Sequence, residues 1–541
     1  MKLDAVMNAN EPRAAYHPRM VGWIGRGAIG MLVIAAACTS TPSAVPPGSA
    51  SAPASVAASD AGAGKGPAQP VTLSVAQFNT DISDEYPTIT AASVADAIRA
   101  SGADVVGIEE GGGEVPDVAK ALGWAYYDVR TQIVSRLPLR DPPDGAGVYT
   151  FVEPTPGHVV AMINVHLPSD PYGPYWVRDG RSPDQVLALE RRVRLSAIEP
   201  KLPAAKALQA RGIPVFLTGD FNSPSFHDWT QATVGTRRQI RYPVDWPATA
   251  AVEAAGFRDS FRVVNPDPVA VPGITWPTHR TLKGVWNPSP REPLDRIDFV
   301  FATPDARPTE SRIVGEPGAP GTSATVAPWP SDHRLVVSTF TVAPAPAPTF
   351  VTLAHRSVTV GDAVQVAYHV AGGTAERIEV VPAGAPATSP APNAVTVPAG
   401  AADGSAGFDS GSLAPGAYDA VLIGPSGAEL SRYPFWVVAA GAKPAVAVSK
   451  RVYAVGEPIV VTYSNAPGNR WDWVAIYREG ADPNVAPYLT WAYTDAGIDG
   501  SVTLDRASNG PWPLRPGRYS AYLLIDDLYV KVAATSFTIG A

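Results

Sequence analysis

Apolar residues recur with two different periods between positions 71 and 342, and with essentially one beyond it. In the first region a period of two, or a short continuous apolar run, marks strands in "VTLSVAQFN", "ADVVGIEE", "HVVAMINVHL", "IPVFLTGDFN", "RIDFVFA" and "HRLVVSTFTV". A period near four predicts an amphipathic helix over "ASVADAIRASG", closed by Gly102, and a longer one over "DQVLALERRVRLSAIEPKL". Alternating strands and helices of this kind predict a mixed α/β domain, and most of its conspicuous polar residues fall where the strands end. After Ala343 the helical period fades, and the remaining chain reads as short strands between turns.

That second half repeats itself. "SVTVGDAVQVAYHV" at 357–370 matches "VYAVGEPIVVTYSN" at 452–465, and "LAPGAYDAVLI" at 413–423 matches "LRPGRYSAYLL" at 514–524. Two copies of about a hundred residues predict tandem immunoglobulin-like sandwiches over 351–440 and 441–541, preceded by a Pro-rich linker at 343–350. Trp471, Trp473 and Trp491 read as core or hairpin residues in the first instance, and as a glycan- or cell-surface-facing patch in the second.

Composition adds an N-terminal history. Arg26 precedes an uncharged run, "GAIGMLVIAAA", that has the length of a signal-peptide core and is too short to span a bilayer, and it ends at Cys38, the single cysteine of the chain. Residues 1–38 therefore read as an export signal that resembles a bacterial lipoprotein signal, with Cys38 as the lipid attachment site and Met20 as an alternative start. The expectation is a cell-envelope lipoprotein anchored to the membrane, or a secreted protein, monomeric in either case. Residues 39–70 are almost wholly Ala, Ser, Pro, Gly, Thr and Val, the composition of a disordered tether. One cysteine excludes a disulfide framework and a cysteine zinc site, and a net charge of -8 excludes a broad basic surface for gripping a polyanion.

The candidate chemistry lies at the strand ends of 71–342: Asn79, Glu109 and Glu110, His166, Asp220 and Asn222, Asp298, Asp332 and His333. Each alone is an ordinary turn or cap residue; two histidines and several carboxylates at the ends of one set of strands are not. In order, "VAQFNTD", "DVVGIEE", "QIVSRLPL", "INVHL", "FLTGDFNSPS", "GITW", "DRIDFVFA" and "WPSDHRLVV" resemble the motifs of the endonuclease/exonuclease/phosphatase superfamily, which includes deoxyribonuclease I and neutral sphingomyelinases. The resemblance covers about half the chain.

It implies a four-layer αββα sandwich, α/β in class, ahead of the two all-β domains, and a metal-dependent hydrolase of phosphoric esters. By that resemblance Glu110 is the metal-binding acid with Asn79 beside it, Asp81 and Asp332 are further ligands, and Glu109, where the family often has Gln, is the lesser candidate. Mg²⁺ suits such oxygen ligands, with Mn²⁺ or Ca²⁺ as alternatives. Asp220 matches the acid that activates water, Asn222 the amide donor to phosphate, Asp298 and His333 the Asp–His pair, and His166 a second histidine placed to protonate the leaving oxygen. On an extended backbone Asp220 and Asn222 share one face and Phe221 points inward, and Asp81 shares the face of Asn79 if that strand runs on. The aromatic stretch "PSDPYGPYWVRDGRSPD" at 168–184 offers Arg178 and Arg181 for substrate binding. The substrate expected is a nucleic-acid phosphodiester, with a phospholipid or a small organophosphate monoester as alternatives; a non-catalytic surface protein that binds through its repeats is the reading from another class.

Overall fold

The computed structural model describes residues 68–540 apart from 83–87, 112–113, 143–147, 280–287, 354–355, 373, 388–392, 469–471, 484–485, 487, 495–496, 509 and 526–528. Cys38, the apolar run before it, most of the Ala/Ser/Pro segment and Trp471 lie outside the described residues.

The first domain holds strands β1 (Val71–Asn79), β2 (Val105–Glu109), β3 (Tyr126–Asp128), β4 (Ile133–Ser135), β5 (Leu139–Arg140), β6 (Tyr149–Thr155) and β7 (His158–His166). These are followed by β8 (Val215–Asp220), β9 (Arg258–Asp259), β10 (Asp298–Ala302), β11 (Ala306–Gly315), β12 (Thr322–Thr325), β13 (Leu335–Val342) and β14 (Ala345–Pro346). They form two sheets, ordered β12-β11-β13-β1-β2-β4-β3 and β5-β6-β7-β8-β10-β9, with β14 added beside β7.

Three apolar cores show how the layers stack. One face of β1, β2 and β4 packs through Phe78, Val106 and Val134 on the helices Ala91–Ser101 and Val115–Leu122. One face of β7 and β8 packs through Ile163, Leu217 and Phe221 on Ile198, Leu202 and Val252 of the opposite helical layer. Between the sheets lie Leu73, Val75, Val105, Val160, Met162, Phe216 and Val300. The four-layer αββα sandwich is thus present, and its helices start and stop as their sequences require. In the first helix Thr90 accepts from Ser93 N at 3.2 Å, Ser93 Oγ accepts from Thr90 N at 3.0 Å, and Gly102 closes the last turn at φ +69°.

The inter-sheet rows explain the position of the site. With a period of two, the row Leu73, Val75 continues to Gln77 and Asn79; Val105 to Gly107 and Glu109; Met162 to Asn164 and His166; Phe216 to Thr218 and Asp220. The sandwich interior therefore turns from apolar to polar toward one edge. The parallel pairs β1/β2 and β7/β8 align Asn79 with Glu109 and His166 with Asp220, and the antiparallel pair β8/β10 sets the start of β10, Asp298, opposite Asp220. Gly107 marks the changeover: a Cβ there would lie 2.2 Å from Asn164 Oδ1 and 2.4 Å from Thr218 Oγ1, so the absence of a side chain lets the sheets close.

Residues beyond Phe350 form two sandwiches with the same layout, each a three-stranded and a five-stranded sheet. The repeated motif places a tyrosine corner in both: Tyr418 Oη donates to Ala414 O at 2.9 Å and Tyr519 Oη to Arg515 O at 2.5 Å. Where a linker was expected at 343–350, β14 pairs with Val159 and His158, Ala347 N donates to Gly157 O, and Phe350 packs in the core of the first domain. The first sandwich is also tied on by a buried polar cluster. Tyr433 Oη accepts from Arg130 Nη1 at 2.6 Å and donates to Asp141, and the Arg356 guanidinium lies 5.4 Å over the Tyr433 ring.

Candidate active site

Asp220 is the centre of the polar edge. Its carboxylate is 1% exposed and accepts from Asn79 Nδ2 at 3.0 Å, with Oδ2 3.6 Å from His333 Nε2 and 3.7 Å from His166 Nε2. On one side His333 Nδ1 pairs with Asp298 Oδ2 at 2.9 Å. On the other, Asn222 Nδ2 lies 3.2 Å from His166 Nε2 and donates to Leu167 O at 3.0 Å. Glu110 faces the same space, accepting from Asn79 Nδ2 at 3.1 Å and lying 3.7 Å from His166 Nε2.

Two residues beyond these strand ends are placed by a route that strand alternation does not supply. β1 ends at Asn79 and β8 at Asp220; each terminal residue accepts from the backbone N–H two positions on, Asp81 N at 3.2 Å and Asn222 N at 2.8 Å. Asp81 and Asn222 then take left-handed backbones, φ 50° and 46°. The expectation that Asp81 stays on the face of Asn79 through a continuing strand is therefore corrected: an Asx turn places it. Asn222 likewise meets Asp220 through a turn, while Phe221 between them is buried among Phe299 and Phe301 as expected.

Other groups at the site were not singled out from sequence. Gln77, fully buried, donates through Nε2 to Glu109 Oε2 at 2.5 Å and to Asp298 Oδ1 at 2.7 Å. The signal for it was available, since Gln77 lies one step back along the row that ends in Asn79. Trp276, from "GITW", donates to Asp332 Oδ2 at 3.1 Å and packs beside His333 with ring centroids 6.3 Å apart. Ser331 Oγ donates to Asn79 O at 2.6 Å and accepts from His333 N at 3.0 Å, joining the "SDH" turn to the end of β1.

The 168–184 segment is partly helical, Gly173–Arg178. Arg178 is engaged with Asp179 at 2.8 Å and with the Tyr175 ring at 4.5 Å, and Arg181 lies 5.6 Å from the Trp176 ring. The residue that links this segment to the site is Tyr172, packed edge-on against Trp276 at 5.6 Å.

Electrostatically the edge carries more acid than base. Burial, with Asp298 and Asp220 nearby, holds Glu109 well above the usual carboxylate range. Burial likewise pushes Asp220 up to about 6, with His333 opposing and Asp298 adding to the rise. For His333 burial works downward, yet Asp298, Asp220 and Asp332 together outweigh it and hold the imidazole well above its ordinary value. Glu109 Oε1 is buried without a hydrogen-bond partner among the described residues. Five carboxylates against two imidazoles, with an orphaned buried oxygen, form a hard-oxygen donor set that fits a divalent cation. Among the described residues Asp220, Asp298 and His333 offer ligand atoms within 4.8 Å of one another, but His333 and Asp298 already hold each other; Glu110, partly exposed and accepting from Asn79, is the more open acid.

Comparison with known proteins agrees with this construction. Residues 76–333 match the Endonuclease/Exonuclease/phosphatase family, whose members are metal-dependent phosphoester hydrolases. An uncharacterized protein of Caenorhabditis elegans, F14F9.5, is 36% identical over 151 residues, which cover 27% of this chain and 48% of that protein. The chain thus spans about half the length of the curated relative it matches. Among solved structures, an endonuclease/exonuclease/phosphatase from Beutenbergia cavernae is 19% identical, covers 68% of this chain and 99% of its own, and has a TM-score of 0.31. The mannosyl-6-phosphatase Bt3783 of Bacteroides thetaiotaomicron is 14% identical (49% and 98% covered, TM-score 0.29). The AP endonuclease of Leishmania major is also 14% identical (50% and 88% covered, TM-score 0.33).

Proposed function

We propose that residues 71–342 form a divalent-metal-dependent phosphoesterase that hydrolyses phosphodiesters by in-line attack of water, in the manner of a nuclease. The observation that carries the reading is the position of Asp220, whose Oδ2 lies between the Nε2 atoms of His166 and His333 and accepts from Asn79. In this reading the Asp220 carboxylate orients the water and takes its proton as the new P–O bond forms. His333, held charged by Asp298, and the Asn222 amide bind the phosphoryl oxygens. Protonated at Nε2 once the Asn222 amide has turned to the phosphate, His166 gives that proton to the leaving oxygen as the old P–O bond breaks. Mg²⁺, or Mn²⁺ or Ca²⁺ in its place, would be held by Glu110 with Asn79 and Asp332 and would supply charge neutralisation. A second histidine at the site favours a diester, because an alkoxide leaving group needs an acid.

The test is turnover of bis(p-nitrophenyl) phosphate and plasmid DNA with Mg²⁺ or Mn²⁺ and with chelator, run beside p-nitrophenyl phosphate and sphingomyelin. Faster metal-dependent turnover of the diesters supports the proposal; preference for the monoester or the lipid replaces it with a phosphatase or a sphingomyelinase-like activity. No turnover at all would leave a surface-binding role for the tandem sandwiches. Export and lipid anchoring at Cys38 belong to the same proposal, supported by the apolar run at 27–37. Palmitate labelling that survives Cys38→Ser would remove the anchor.

A further inference from the structure

Behind the loops that follow His166 and carry Asn222 lies an ion pair with no exposure on either side chain, Glu190–Arg194, at 2.9 Å. Glu190 ends the helix Pro183–Glu190 and Arg194 lies in the π-helical turn Arg191–Leu195 that follows it. Both heads are turned to the two catalytic loops. Arg194 donates to Ser169 O at 2.6 Å and Pro171 O at 2.5 Å, in the loop after β7; Glu190 Oε2 accepts from Ser223 Oγ at 2.9 Å, in the loop after β8. Gly173 fits because a Cβ there would stand 2.4 Å from Glu190 Oε1. The loops so held meet at the contact of Asn222 with His166 and Leu167, and the same segment presents Tyr172 to Trp276, the partner of Asp332.

A buried ion pair adds little net stability over well-packed apolar groups, and Arg194 Nε is buried here without a partner among the described residues. What the pair supplies is geometry. We propose that Glu190 and Arg194 are positioning residues that set His166 against the leaving oxygen by fixing the loops on either side of it. The inference rests on the phosphodiesterase reading and assigns it a support that acts on one step, protonation of the leaving group.

The experiment uses the full chain and two aryl diesters, bis(p-nitrophenyl) phosphate, whose leaving group needs little protonation, and thymidine 5′-phenyl phosphate, whose leaving group needs more. In Glu190→Met/Arg194→Met, an apolar replacement of the pair, kcat for the phenyl ester should fall about tenfold further than kcat for the p-nitrophenyl ester, with KM little changed. Ser223→Ala, which removes one bond and leaves no charge unpaired, should shift the same ratio in the same direction by a smaller factor; it serves should the double variant fail to fold. Equal losses on both esters, or a change in thermal stability alone, would reduce the pair to a structural element and overturn the inference while the phosphodiesterase reading stands. Wild-type protein inactive on both diesters would overturn that reading and the inference with it.

Discussion

Two clusters of unusual residues lie outside the ordinary cores, and they are built on opposite terms. At the edge of the first domain, buried groups are polar, acids outnumber bases, and the backbone is held in rare conformations. Of the five non-glycine residues with positive φ among those described, Asp81, Glu110 and Asn222 belong to this edge and Gln132 supports it, its carbonyl accepting from Ile108 N at the end of β2. On the outer face of the last sandwich, Trp473 is 4% exposed and met edge-on by Tyr488, Trp491 and Tyr529 at 5.7, 5.9 and 5.8 Å. Its rings satisfy one another in the geometry their quadrupoles favour, on an extended strand. The first cluster retains conflict, in burial of charge and in backbone strain; the second is held mainly by ring packing. Unresolved conflict is the mark of a site, because it is what a bound cation and phosphate would relieve.

The comparison breaks most sharply under substitution. Asp220→Ala and His333→Ala should each lower metal-dependent phosphodiester hydrolysis by about 10²–10⁴-fold while thermal unfolding stays near wild type, since on the proposed mechanism each removes a group that acts on the reacting atoms. An equal loss of activity from Trp473→Ala would erase the distinction. That variant is expected instead to cost about 3–5 kcal/mol in the unfolding of the last sandwich, read by denaturant titration, with hydrolysis unchanged.

Titration sharpens the picture further. With Asp220 pushed up to about 6 by burial, its carboxylate is protonated below that pH and is lost as a base, so kcat/KM should fall as pH drops through 6, approaching tenfold per unit. In Asp220→Asn the residual rate should lose that acid limb. The smallest effect is expected at the junction with the first sandwich. Tyr433→Phe removes the hydroxyl shared by Arg130 and Asp141 and should cost about 1–3 kcal/mol, seen as earlier unfolding of that sandwich with catalysis retained.

Much of this was legible in sequence because strand periodicity is simple. The rows that end in Asn79, Glu109, His166 and Asp220 can be followed by counting in twos, and the repeated "PGAY" and "PGRY" motifs announce two equivalent tyrosine corners. Asp81 was misplaced because an Asx turn, decided by one side-chain hydrogen bond, ended the strand before it. Glu190 and Arg194 have the spacing of an ordinary exposed helical pair, and only the fold of the 168–173 loop over them makes them buried. The segment at 343–350 looks like a linker by composition, yet its backbone finds an open edge beside β7, which no local pattern reveals.

The most direct test of the central claim is the rate of p-nitrophenol release from bis(p-nitrophenyl) phosphate by the full chain, wild type against Asp220→Asn, with Mg²⁺ and with chelator. The structure predicts turnover that requires the cation and falls at least about a hundredfold in the variant, whose side chain keeps the size of Asp220 and loses its charge. Turnover indifferent to chelator, or equal in the two proteins, would contradict it.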